Sequence, residues 1–332
     1  MDGWLARELG KPYRMLLLLA AAAVLCAGAL TGVAASVGFD EIWKNLIYPH
    51  WYWIPIAFAG ELVAYLGYTL AYREVARAER GPELDVPSVA ALVATGFGAF
   101  IQGGGFALDR AALQRAGMTE RQAKERVLGL AMLEYAVLAP ATLVAAAFLL
   151  AQKGEQIDPS MTLPWVIGVP VGAALALLAL RHRQAFDRKG WRMHVYSGVC
   201  AIQLLFRLFR KPLSAAVAFA GISLYWLGDI FCLWAVLHAF YAHTPPIAAL
   251  LVAYATGYAL TRRALPLGGA GVVEAVLPFA LGAVAIQRAP AVLAVGGYRL
   301  INLWLPMLPA LAGIPALRRI ERKRRSRRPA PA

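Results

Sequence analysis

The chain has 332 residues, of which 60% are hydrophobic and 16% charged, with a mean hydropathy of +0.58. A soluble domain carries about 25% charged residues, so this is an integral membrane protein, and disorder, collagen-like repeats and a disulfide scaffold are excluded. The 33 Lys and Arg against 19 Asp and Glu give a net charge of +14.

That charge is not spread evenly. Residues 1–14, 73–85, 110–126, 181–211 and 318–328 hold 27 of the 33 basic groups, and each block abuts an apolar run. Such placement is a positive-inside pattern, so nucleic acid is the weaker partner and anionic lipid the stronger one for the arginine-rich tail. Cys26, Cys200 and Cys232 form no close pair and no Cys/His metal spacing, so neither a metal nor a cofactor is expected.

The first span is predicted over about 15–36, with 1–14 as a cytoplasmic N-terminus carrying Arg7, Lys11 and Arg14. Its apolar core exceeds the roughly 7–15 residues of a signal-peptide core, which favours an uncleaved helix. Residues 37–50 form a short external segment, and a second span over 51–72 opens on Trp51, Tyr52 and Trp53. Residues 86–108 are apolar and glycine-rich, with charged, cytoplasmic-looking sequence on both sides. A segment with both ends on one side must re-enter the membrane, its glycines turning where the backbone is shielded by protein. An ordinary spanning helix is the alternative.

A third span over 127–151 and a fourth over 163–180 follow, joined by an external loop. In about 194–211, apolar and basic groups alternate at helical spacing, which predicts an amphipathic helix in the cytoplasmic interface. The fifth span covers 213–241. The apolar pieces 247–260 and 272–286 are each shorter than the roughly 20 residues needed to cross. They read as a second re-entrant pair, although full spanning would leave the C-terminus on the same side. A last span over 289–314 leads to a basic cytoplasmic tail, 315–332.

The expected fold is therefore an all-α polytopic membrane protein whose single transmembrane domain covers 15–314. It has about six full spans plus two opposed re-entrant helical hairpins, about 86–108 and 247–286, arranged like an inverted repeat.

Ionisable residues within spans are costly and face a partner or a wet cavity. Glu61, Glu134, Asp229 and Arg299 are of this kind, while Asp109 with Arg110 follows the first glycine turn. Ion pairs that merely hold helices together are the alternative reading for each. The most informative stretch is 262–274. Arg262 and Arg263 precede Pro266, Gly268, Gly269 and Gly271, and Glu274 follows. Pro266 is expected to end an incoming half-helix, and the glycines to make a sharp turn. The next half-helix would then start at depth, with free N–H groups and the positive end of its dipole forming an anion site. The arginines supply bidentate donors suited to phosphate. Glu274 would cap free amides or pair with an arginine.

The same residues resemble a known family. PLGGAGVVEAVL is similar to the P-x-G-G-x-G-x-x-E signature of the lysylphosphatidylglycerol synthase transmembrane region, or flippase-like membrane family. Tyr298-Arg299-Leu300, followed by Leu305-Pro306, resembles its Y-R-hydrophobic…LP pattern. GGGFALDRAALQRAG is similar to its G-G-D-x-x-R motif, although here Asp109 and Arg110 are adjacent and lie further from the glycines. The resemblance implies lipid handling. Some members carry a soluble aminoacyltransferase domain and translocate lysylated phosphatidylglycerol; others are associated with hopanoid or polyprenyl-linked glycan pathways. A basic tail of 18 residues follows the last span here, so the expectation is lipid translocation or binding rather than aminoacyl transfer.

The substrate-binding set is thus expected to be Arg262, Arg263, Gly268, Gly269, Gly271, Glu274, Arg299, Asp109, Arg110, Glu134 and Asp229. The expected partners are membrane lipids with an anionic or zwitterionic head group, and a cytoplasmic or membrane enzyme. The expected location is a bacterial plasma (inner) membrane with both termini cytoplasmic. A membrane-embedded transferase and a scaffold are the competing functions, but the chain holds no DxD or Walker A motif.

Overall fold

The structure, a computed structural model, describes residues 12–47, 49–98, 104–152, 158–186, 191–240, 245–259 and 266–306. In chain order the helices are α1 (Pro12–Val37), α2 (Phe39–Leu46), α3 (Trp53–Arg77), α4 (Val86–Gly98), α5 (Gly104–Arg115) and α6 (Glu120–Ala151). Then come α7 (Pro159–Arg181), α8 (Trp191–Phe209), α9 (Pro212–Ala239), α10 (Ile247–Tyr254), α11 (Val272–Gly282) and α12 (Arg288–Arg299). No strand occurs among the described residues.

Among the described residues, five helices are long and apolar enough to cross a membrane: Leu17–Val37 of α1, then α3, α6, α7 and α9. The rest of the apolar sequence is shorter. Residues 86–108 become two helices, α4 and α5, that pack on each other, with the break at 99–103 outside the described residues. The expected last span is described as α12 and a π-helical turn, Leu300–Trp304; residues 307–314 and the basic tail lie outside the described residues.

Several boundaries move for local reasons. The helix expected from residue 127 begins at Glu120, because Thr119 and Gln122 cap it reciprocally. The Gln122 N–H donates to Thr119 Oγ1 at 3.3 Å, and the Thr119 N–H donates to Gln122 Oε1 at 3.0 Å. The external segment 37–50 contains a helix, α2, with Asp40 and Glu41 in its first turn, where the helix dipole favours acidic groups. The predicted amphipathic helix is α8. It buries Val199, Ala201, Leu204, Leu205 and Leu208 while Phe206 and Phe209 stay exposed.

The core is the α3–α9 pair. Gly60 and Gly67 on α3 face Gly228 and Gly221 on α9. A Cβ on Gly67 would lie 2.4 Å from the Gly221 carbonyl oxygen, and one on Gly228 would lie 2.5 Å from that of Gly60. In lipid, tails are as apolar as any side chain, so small residues that let backbones touch are what drive close packing. This seam also sets depth: Glu61 and Asp229 follow Gly60 and Gly228, so the two carboxyl-bearing residues lie at the same level. By contrast α7 turns Leu163, Ile167, Val171, Leu175 and Leu178 outward, an apolar face suited to lipid.

The basic blocks meet at one end of the bundle. After α3 the chain turns tightly: Glu79 has φ +50°, and a Cβ on Gly81 would sit 2.0 Å from the Ala76 carbonyl oxygen. Glu79 accepts from Arg126 Nη1 of α6 at 3.2 Å and from Arg207 Nη1 of α8. Burial alone would raise the Glu79 carboxyl pKa, but the bonds from Arg207 and Arg126 outweigh it and hold it below its ordinary value.

Candidate functional site: a buried polar centre at the interrupted helices

The site is built by helices that stop short. α10 passes into a π-helical turn, Ala255–Ala259. Residues 260–265, with Arg262 and Arg263, lie outside the described residues, so the predicted convergence of those arginines is not described. Pro266 opens a tight turn, Pro266–Gly269, and α11 starts at Val272. Leu267, Gly268, Gly269 and Gly271 have φ of +57°, +62°, +72° and +84°. A left-handed run of this kind favours glycine, and Leu267 carries the strain of a side chain there.

Glu274, in the first turn of α11, accepts the Gly271 N–H at 2.7 Å. It also accepts Arg299 Nε at 2.6 Å, and the Cys26 thiol of α1 donates to it at 3.1 Å. Arg299 Nη2 reaches the Gly268 carbonyl oxygen at 3.1 Å. Arg299 is 2% exposed and Glu274 0%. The anion expected at this helix N-terminus is thus the protein's own Glu274 carboxylate, which caps the helix and neutralises the arginine together.

A second network adjoins it on the same α12 turn. Asp229 accepts from Tyr254 at 2.6 Å, Tyr298 at 2.7 Å and Asn302 Nδ2 at 3.0 Å. Asn302 Nδ2 also lies 3.2 Å from Glu61 Oε1, and its amide oxygen accepts from Tyr258 at 2.6 Å. Two buried phenols and an amide therefore donate to Asp229, with a third phenol holding the amide, so the group need not find water.

Of the expected residues, the structure joins Gly268, Gly271, Glu274 and Arg299, buries Gly269 in the same turn and sets Asp229 beside them. Asp109 is buried in α5 beside Tyr72 of α3, and Arg110 is half-buried next to it. Glu134 is buried where α6 meets α9, its main-chain oxygen accepting from Trp226 Nε1 at 3.0 Å. The hydrogen bonds given above for the centre do not include these three. The turn Pro266–Gly269 does pack against α5, so the two glycine-rich elements meet.

Sequence reasoning missed Tyr254, Tyr258, Asn302 and Cys26 as members, and placed Glu61 in a span without assigning it to the site. Spacing holds a signal for most of them: Tyr254 and Tyr258, and Tyr298 and Asn302, are four apart and so share a helix face. Nothing in the sequence around Cys26 marks it.

Long apolar helices enclosing a dense polar centre at interrupted helices define an integral membrane protein with ionisable groups buried in its interior. The family model described as lysylphosphatidylglycerol synthase TM region matches residues 16–310, and the chain belongs to that family. No curated protein matches the chain.

Proposed function

We propose that this protein moves a phospholipid or an isoprenoid-type lipid between leaflets by admitting its head group to the Arg299 centre. In this reading, residues 15–314 form one transmembrane domain of six spans with opposed re-entrant hairpins at about 86–108 and 247–286, in a plasma membrane, with both termini cytoplasmic. The observation that carries it is the buried Arg299–Glu274 pair, held at 2.6 Å between a glycine turn and a helix start. A phosphate has the charge and the geometry to take the place of the Glu274 carboxylate on the guanidinium. The neighbouring Asp229 and Glu61 suit the cationic part of a zwitterionic head group.

The 2.6 Å pair also favours a second reading, in which Arg299 and Glu274 only hold helices together. Liposomes reconstituted with a head-group-labelled lipid and an impermeant quencher separate the two. The test protein is the double variant Glu274→Leu with Arg299→Met, which removes both charges together. A folded double variant that moves no lipid supports the translocase. One that moves lipid at the wild-type rate reduces the pair to structure. A change in lipid mass rather than accessibility would point to a transferase.

A further inference from the structure

At the basic end of the bundle, a cavity of about 360 Å³ lies between α6, α8 and the turn Arg183–Phe186. It shares no residue with the Arg299 centre. Four arginines (Arg121, Arg126, Arg183 and Arg207) line it against two carboxylates, Glu79 and Glu125, so its wall carries two positive charges in excess.

Both carboxylates already have partners. Glu79 accepts from Arg126 and Arg207, and Glu125 accepts from Arg121 Nε at 3.0 Å. Arg126 is the most constrained cation. Its side chain is 7% exposed, Nη1 bonds Glu79 and Nη2 donates to the Ala78 carbonyl oxygen at 2.7 Å. Its Nε is buried and has no hydrogen-bond partner among the described residues. A buried donor on a charged group is costly to leave unmet, and Arg126 is one of the residues that line the cavity. Arg121 is steadied by the Tyr196 ring, 5.5 Å beneath its guanidinium, and by the Tyr196 hydroxyl at 3.3 Å. The left-handed Glu79 and the tight turn at Gly81 fix the carboxylate that holds Arg126 and Arg207 in place. The cavity is therefore preformed, cationic and of small-ligand size.

We infer that this cavity is a binding site for a dianionic phosphate group, carried either by a soluble phosphomonoester or by the head group of an anionic lipid. Planar guanidinium forks match phosphate oxygens in pairs, and a dianion cancels the excess charge of the wall. The volume leaves room for a small substituent beside the phosphate. The inference stands apart from lipid translocation, since it uses other residues.

The experiment uses the full-length protein in neutral-lipid nanodiscs. Glycerol 3-phosphate is titrated by calorimetry with glycerol as control, and retention of phosphatidic acid over phosphatidylcholine is read by native mass spectrometry. Saturable glycerol 3-phosphate binding, weakened at least tenfold by Arg183→Gln or Arg126→Lys, establishes the site with a soluble source. Selective retention of phosphatidic acid alone, lost in the same variants, establishes it with a lipid source. Arg183 is exposed, so Arg183→Gln keeps the test decisive if Arg126→Lys fails to fold. Wild type that binds neither probe, or an Arg183→Gln variant of unchanged unfolding midpoint that binds both as well as wild type, overturns the inference.

Discussion

Replacing Glu274 by alanine removes the countercharge of a guanidinium that is 2% exposed and donates to it at 2.6 Å. It also takes away the acceptor of the Gly271 N–H. Breaking a buried pair from one side costs about 3–5 kcal/mol, because an uncompensated charge stays behind. That is about two to three and a half powers of ten in the unfolding equilibrium. Glu274→Gln keeps an oxygen for Gly271 and loses the charge, so it should fall between alanine and wild type. The double variant Glu274→Leu with Arg299→Met leaves no buried charge at this point and should recover most of the single-variant loss. Unfolding in mild detergent against a rising fraction of dodecyl sulfate, followed by tryptophan fluorescence, orders the four proteins. If Glu274→Ala unfolds with wild type, or the double variant is no more stable than Glu274→Ala, the electrostatic account of this turn is wrong.

Gly67→Ala places a methyl 2.4 Å from the Gly221 carbonyl oxygen and should cost about 1–3 kcal/mol in the same assay, whereas Gly172→Ala, with nothing within 4 Å, should be neutral or slightly stabilising. Glu79 has a lowered pKa in the folded protein, so its ionic links stabilise above its ordinary value and are lost as pH falls through the folded one. The stability gap between wild type and Glu79→Gln should hold from pH 7 to 5 and shrink as pH falls below the ordinary carboxylate range; no gap at neutral pH, or one that widens on acidification, refutes this. Cysteines introduced at the exposed positions Ser160 and Arg183, in a background without Cys26, Cys200 and Cys232, should react with an impermeant thiol reagent from outside and inside respectively. The opposite labelling would invert the topology.

Much of the fold was legible because the bilayer imposes length and polarity rules on every span. The five long helices follow hydropathy, and Glu61, Glu134, Asp229 and Arg299 stood out as ionisable groups in apolar runs. The glycine turn before Glu274 was legible for the same reason, with Leu267 the exception to its left-handed pattern. Pairing was not legible. Which carboxylate answers Arg299 depends on where α11 and α12 cross, and composition is silent about that. Spacing puts Tyr254 and Tyr258 on one helix face, but it does not say that their partners are Asp229 and Asn302. The early start of α6 was hidden because its first two turns are charged and only the Thr119 cap marks them.

The glycine seam between α3 and α9 bears on how the centre can open. Two helices whose backbones touch at Gly60–Gly228 and Gly67–Gly221 are keyed together, since sliding one past the other drives the flanking side chains into a main chain. They form a stator that keeps Glu61 and Asp229 level. The groups facing this wall are Tyr254, Tyr298 and Arg299 on α10 and α12, and Tyr258 and Asn302 on the π-helical turns that continue those helices. Turns of this kind interrupt the regular hydrogen-bond ladder of a helix and are frequent at functional sites. A motion that admitted a head group to the centre would fall on these turns rather than on the α3–α9 seam.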